Sequence, residues 1–186
     1  MTGLRVIGGS ARGRKLRSVP GIGTRPITDR TKESLFNILG GDIVGASFLD
    51  LFGGTGSVGI EALSRGAARV LFIDSDPRAV ETIRANLAAT SLSERAEVLR
   101  GDSLKILAAP PGGGFDYIYV APPQFKGLWK KTLEPIDGNP AWLGPDGWVI
   151  VQIHPKEYEA LVLSDLEEFD QRRYGSTLLV FYCARE

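Results

Sequence analysis

Residues Phe48-Leu-Asp-Leu-Phe-Gly-Gly-Thr-Gly-Ser-Val-Gly-Ile-Glu61 join an apolar strand, a glycine-rich turn and the start of an apolar-striped helix. Such a junction sets backbone amides at a sheet edge, where a nucleotide-like cofactor can lie against them. Dinucleotide sites usually read G-x-G-x-x-G and hold a pyrophosphate on the helix N-terminus. Here Asp50 sits at the strand end, three residues before Gly53 and six before Gly56. A carboxylate at that place repels a pyrophosphate and attracts a cofactor that carries an ammonium group. S-adenosylmethionine carries an ammonium and a sulfonium. The loop therefore reads as a site for that cofactor, with Asp50, Phe52, Gly53, Gly54 and Gly56 around it. A nicotinamide oxidoreductase is the disfavoured alternative.

Two more acids extend the pocket. Ala68-Arg-Val-Leu-Phe-Ile-Asp74 reads as a second buried strand, and Asp74 lies 18 positions after Gly56, where nucleotide-binding α/β folds place the ribose acceptor. A third strand, at residues 96–99, runs into Gly101-Asp102-Ser103, so Asp102 is placed to accept from an adenine amino group. Singly, each acid reads as a helix cap or turn residue, and the glycines as a tight turn. Three such strand ends on one sheet edge make a pocket.

Around these strands the pattern alternates. Thr28 or Asp29 caps a helix to residue 39; strands at 48–52, 69–74, 96–99, 115–120 and 147–153 are interleaved with helices at 57–65, 77–89, 104–107 and 128–133. Residues 168–173 and 177–183 read as an antiparallel pair turning at Tyr174-Gly-Ser176. This predicts an α/β fold with a mainly parallel sheet covered on both faces and an antiparallel finish.

Composition is that of one soluble domain: 186 residues, 43% hydrophobic and 24% charged. No apolar run approaches the roughly 18 residues of a membrane span, and the N-terminus shows no secretory signal. A cytoplasmic protein is expected. The lone Cys183 excludes an internal disulfide and reads as a buried, inert thiol in the last strand. The lone His154 reads as a strand-end residue; with no partner ligands in the pattern, no metal is expected. Trp129, Trp142 and Trp148 read as packing residues.

The net charge is zero, yet residues 1–35 hold eight basic side chains (Arg5, Arg12, Arg14, Lys15, Arg17, Arg25, Arg30, Lys32) against two acids. Between Val6 and Thr24 glycine and proline are common and apolar residues few, which suggests a short hairpin or extended arm. Such an arm is either a solvated segment or a nucleic-acid contact; Arg5, Arg12, Arg14, Lys15, Arg17, Arg25 and Arg30 are the candidate RNA-binding residues.

Arg5-Val-Ile-Gly-Gly, Arg12-Gly-Arg-Lys-Leu16, Arg25-Pro26, Thr28-Asp-Arg30 and Glu33-Ser-Leu-Phe-Asn-Ile38 together resemble the N-terminal signature of the RsmD family, bacterial methyltransferases that modify N2 of a guanine in 16S ribosomal RNA. Residues 49–65 resemble that family's cofactor loop, and the likeness spans nearly the whole chain. The resemblance implies the seven-stranded class I S-adenosylmethionine-dependent fold, with a basic arm over residues 1–27 and a methyltransferase domain over 28–186. It implies Asp50 and the 53–56 turn at the methionine end, Asp74 on the ribose and Asp102 on adenine. Small-subunit ribosomal RNA, or the assembling subunit, is the implied partner of a monomer.

One departure stands out. The family's catalytic loop reads Asp-Pro-Pro-Phe or Asp-Pro-Pro-Tyr; here it is Ala121-Pro122-Pro123-Gln124-Phe125. Ala121 cannot accept from the exocyclic amine. The Pro122 carbonyl still can, Gln124 offers another acceptor, and Phe125 or Tyr119 a stacking face. Loss of one orienting acceptor costs about 2–4 kcal/mol by analogy with an oxyanion-hole donor. The alternative is a non-catalytic RNA-binding protein that keeps the cofactor fold and serves ribosome assembly.

Overall fold

The computed structural model describes residues 3–21 and 26–186. The chain divides into two compact units, Met1–Gly101 and Asp102–Glu186.

In the first unit, three strands lie parallel in the order β3-β2-β1: β1 (Ser47–Asp50), β2 (Arg69–Asp74) and β3 (Ala96–Arg100). Phe48, Leu49, Phe72 and Ile73 have no exposed surface, as a strand buried on both faces requires. Helix α1 (Asp29–Leu39) is capped by Thr28, whose side chain accepts from the Thr31 amide; α2 (Ser57–Ser64) packs on β1 and β2, and α3 (Pro77–Thr90) on β2 and β3. Asp76 caps α3 and Pro77 supplies its preset first turn.

Residues 4–16 form a hairpin, closed by an antiparallel bridge between Arg5 and Lys15. Its Val6, Ala11 and Leu16 are buried, so these few apolar residues seat it on the unit. The Ser10 amide donates to the Ser64 carbonyl (2.8 Å) and the Ala11 amide to Ser64 Oγ (2.9 Å), tying the hairpin tip to the end of α2. Gly9 passes so close that a Cβ there would lie 1.9 Å from the Ser64 carbonyl oxygen, and its φ of +77° disfavours any side chain. Gly9→Ala is therefore expected to undock the hairpin and cost at least about 2 kcal/mol in urea unfolding. Lost hydrogen-exchange protection at Ser10 and Ala11 is the local sign; unchanged protection there would refute the docking geometry.

In the second unit the order is β4-β5-β7-β6, with β4 (Phe115–Val120) parallel to β5 (Leu143–Ile153), and β6 (Leu166–Tyr174) and β7 (Thr177–Ala184) antiparallel. Ile118, Val120, Ile150, Val180 and Phe181 form its core with Leu133 and Ile136 of α5 (Leu128–Asp137); α4 (Ser103–Leu107) packs on α5. β5 begins four residues before its expected start. A register shift between the Phe115–Leu143 and Tyr117–Trp148 pairs absorbs Gly144-Pro-Asp-Gly147, which reads as a turn in sequence. α5 also runs past its expected end, carrying Pro135 inside it. Its last residue, Asp137, accepts from the amides of Ser164, Asp165 and Leu166 at 2.8–2.9 Å. Burial works against its charge, but those three amides and Arg185 hold the pKa below the ordinary value.

Trp129 and Trp142 are buried, and Trp148 stacks among Tyr117, Phe169 and Phe181, so all three tryptophans pack. Cys183, the next-to-last residue of β7, is half-buried rather than buried; partial burial, Glu167 and Glu186 raise its pKa. Among the described residues, no helix is long and apolar enough to cross a membrane, and no group of three His, Cys, Asp or Glu side chains could hold a metal.

Candidate cofactor loop, catalytic loop and basic segment

Asp50 closes β1 with 1% of its surface exposed, and neither carboxylate oxygen has a hydrogen-bond partner. Burial raises its pKa to about 7; the Gly59 amide opposes this without completing a hydrogen bond, and the charge of Asp74 adds to it. A buried orphan acid is costly unless something answers it. After β1 the chain turns through Gly53, whose amide donates to the Ile73 carbonyl (2.9 Å), and Gly54, whose amide donates to Asp74 Oδ2 (2.9 Å). Gly54 has φ +56°, and nothing lies within 4 Å of where its Cβ would be. The loop thus offers open space beside a glycine and an unanswered buried carboxylate. The carboxylate suits a cationic group, and the open space leaves room beside the turn. Phe52 and Gly54 are half-buried and Gly56 is buried at the start of α2.

Asp74, at the end of β2, also accepts from the Asp76 amide through Oδ1 (2.9 Å). Two of a carboxylate's roughly four lone-pair sites are therefore engaged in shaping the loop. Asp102, in the second unit, is exposed and caps α4 by accepting from the Leu104 amide (2.9 Å).

The second unit also holds the loop after β4. Ala121 is half-buried, Pro122 buried, and Pro123, Gln124 and Phe125 exposed. Phe125 stands at φ +58°, a region a bulky side chain rarely enters. Its amide donates to Glu157 Oε1 (2.7 Å), and its ring lies against His154, with centroids 5.2 Å apart and planes tilted 42°. The other Glu157 oxygen accepts from the His154 amide (3.2 Å), and His154 Nδ1 from the Lys156 amide (3.1 Å). A bent loop is thus fastened to the short 3-10 turn Pro155–Glu157. His154 is more than the end of a strand, and Glu157 gave no sequence signal. Tyr119 is only 2% exposed and its hydroxyl donates to Gln152 Oε1, so of the two rings only that of Phe125 is exposed.

In the basic segment Arg12, Arg14, Lys15, Arg17 and Arg30 are exposed, while Arg5 Nε pairs with Asp29 Oδ2 (3.0 Å). Arg25 lies outside the described residues. Lys32 does not belong to that surface: its side chain is wholly buried, with Nζ 3.4 Å from Glu61 Oε2. Burial pulls its pKa below the ordinary value, against the opposing pull of Glu61.

The family described as "Conserved hypothetical protein 95" matches residues 4–183. The chain is 40% identical over 185 residues to "Putative rRNA methyltransferase YlbH" of Bacillus subtilis, covering 98% of this chain and all of that one. It is 38% identical over 149 residues to "Ribosomal RNA small subunit methyltransferase D" of Escherichia coli, covering 80% of this chain and 74% of the relative. Among solved structures, "Putative methyltransferase yhhF" from Escherichia coli superposes with a TM-score of 0.84 at 33% identity, covering 96% of each chain. The α/β class expected from the sequence, with a parallel part and antiparallel last strands, is thus the observed one. With its matched span, its identity to these relatives and its fold, the chain belongs to the RsmD family of methyltransferases.

Proposed function

We propose that the protein transfers a methyl group from S-adenosylmethionine to N2 of a guanine in small-subunit ribosomal RNA. The observation that carries the cofactor assignment is the orphaned Asp50 carboxylate beside the open glycine turn. The names of the relatives support ribosomal RNA as the substrate, and the resemblance of residues 5–38 to the family signature supports guanine N2.

In this reading Asp50 receives the ammonium, Asp74 the ribose hydroxyls and Asp102 the adenine amino group. Phe52 and the turn through Gly53, Gly54 and Gly56 flank the ligand. When bound, S-adenosylmethionine supplies a methyl group already activated by its sulfonium, so the acceptor amine needs orientation more than a strong base. Orientation falls to the 121–125 loop. The Pro122 carbonyl and Gln124 side chain accept from the amine, Pro123 stiffens the turn, and Phe125 stacks on the base. Ala121 removes the acceptor the family pattern has at that position, which slows the step without abolishing it.

Arg5, Arg12, Arg14, Lys15, Arg17, Arg25 and Arg30 would follow the phosphate backbone of RNA or of an assembling subunit, with contacts indifferent to sequence. A monomer working in the cytoplasm agrees with that partner. Neutralising Arg12, Arg14 and Lys15 together is expected to lower the slope of log affinity against log salt by about 2. An unchanged slope would remove the hairpin from the RNA contact.

The deciding experiment is tritiated methyl transfer to small-subunit particles lacking the modification, followed by digestion of the RNA. Labelled N2-methylguanine is expected. Tight S-adenosylmethionine binding with no transfer to particles or naked RNA would instead leave an RNA-binding assembly protein.

A further inference from the structure

Two wholly buried polar side chains in the first unit each hold the glycine-rich loop and the main chain of the basic segment together. Asn86 donates from Nδ2 to the carbonyls of Thr55 (2.9 Å) and Arg17 (3.0 Å), and its Oδ1 accepts from the Arg17 amide (2.7 Å). Lys32 donates from Nζ to Ser57 Oγ (2.9 Å) and to the Arg5 carbonyl (2.6 Å). Glu61 beside it accepts from the amides of Ile7 (3.0 Å) and Gly8 (2.8 Å). Thr55 and Ser57 flank Gly56 at the loop's exit into α2, while Arg5 and Arg17 bound the hairpin that displays Arg12, Arg14 and Lys15. The contacts to Arg5 and Arg17 are made with backbone atoms. They hold the segment by its main chain and leave Arg17 exposed.

We propose that occupancy of the glycine-rich loop and RNA binding by the basic segment are thermodynamically coupled, with Asn86 and Lys32 as the positioning residues that carry the coupling. The inference rests on the cofactor and RNA reading given above. Its two states are the docked and the undocked hairpin. A ligand seated on the loop holds the Thr55 carbonyl and the Ser57 hydroxyl where Asn86 and Lys32 need them, which favours the docked state. Were the loop to move away, each buried donor would lose a partner at a cost typical of an orphaned polar group. A docked hairpin presents its basic side chains from a fixed backbone, so RNA loses less freedom in binding it. Linkage then requires that RNA tighten cofactor binding by the factor by which the cofactor tightens RNA binding.

The test uses S-adenosylhomocysteine, which fills the site without reacting, and a small-subunit ribosomal RNA transcript. RNA affinity is measured with and without saturating S-adenosylhomocysteine, and the reverse, in the parent protein, in Asn86→Asp and in Ser57→Ala. Asn86→Asp removes the donors to both carbonyls. Ser57→Ala removes only the Lys32 contact to the loop, and serves if Asn86→Asp fails to fold. In the parent, each ligand is expected to tighten the other about fivefold or more, with the same factor in both directions. The factor falls towards one in the variants while each ligand alone still binds. A factor of one in the parent, with both ligands bound singly, overturns the coupling and leaves the proposed function standing. Undiminished coupling in both variants removes Asn86 and Lys32 as its carriers. If S-adenosylhomocysteine does not bind at all, the cofactor assignment falls, and this inference with it.

Discussion

Replacing Asp50 with Asn is expected to weaken S-adenosylmethionine binding by about tenfold to a hundredfold while making the ligand-free protein more stable at pH 8. The loss follows from removing a charged acceptor for an ammonium, about 1.5–3 kcal/mol. The gain follows from the pKa of about 7 in the folded chain against an ordinary 3.8. Between those values the folded protein keeps a proton that the unfolded chain has given up. The Asp50 contribution to stability therefore falls as pH rises from about 4 to 7, and is flat above. The gap amounts to at most about 4 kcal/mol. Asp50→Asn abolishes that slope, so the difference between the two proteins should be small at pH 4.5 and largest above pH 7.5. Cofactor binding shows the other side of the linkage. A cation prefers the ionised carboxylate, so affinity should climb by up to about tenfold per pH unit below 7, and fall again above about 8 where the ligand's amino group loses its proton. Urea unfolding and calorimetric titration across that range check both. A difference between the proteins that does not change with pH would mean that Asp50 is not the buried orphan described above.

Phe125→Leu is expected to lower kcat/KM for RNA methylation by about fivefold to a hundredfold, since stacking of a base on an aromatic face contributes about 1–3 kcal/mol. Phe125→Gly should lose as much activity, but its effect on stability differs. Glycine relieves the strain of φ +58° and forfeits the ring contact with His154, two effects of similar size and opposite sign. Phe125→Leu keeps the strain and loses the contact, so it should be the less stable of the two by about 1 kcal/mol. Unchanged turnover in Phe125→Leu would show that the ring stacks only on His154 and takes no part in holding the base.

Much of this architecture was legible in the chain. The strands at Arg69–Asp74 and Phe115–Val120 are where hydrophobic runs between turn residues put them, and Thr28 announced the start of α1. The glycine turn and the positions of Asp50, Asp74 and Asp102 beside their strands could be placed because their spacing is local. Less legible was what depends on facing. Lys32 counted towards a basic surface, yet it sits on the Leu35, Phe36 and Leu39 side of α1 and points inward. A polar residue on an apolar stripe was the available signal, and Asn86 gave the same one on the Val80, Ile83 and Leu87 side of α3. Glu157 gave none, because its partner at Phe125 is 32 residues away. The early start of β5 was hidden because Gly-Pro-Asp-Gly is a turn sequence, and only pairing with β4 on either side of it makes it a bulge inside one strand.

The buried pair of Lys32 and Glu61 also orders the paths by which this sequence can change. If Lys32 is lost first, Glu61 still has the Ile7 and Gly8 amides and the Arg65 guanidinium at 2.9 Å. If Glu61 is lost first, the buried ammonium keeps only the uncharged Ser57 hydroxyl and Arg5 carbonyl, and the Ile7 and Gly8 amides lose their acceptor. Lineages that abandon the pair should therefore pass through an intermediate with an apolar residue at 32 and the acid still at 61. The reverse intermediate should be rare among living relatives.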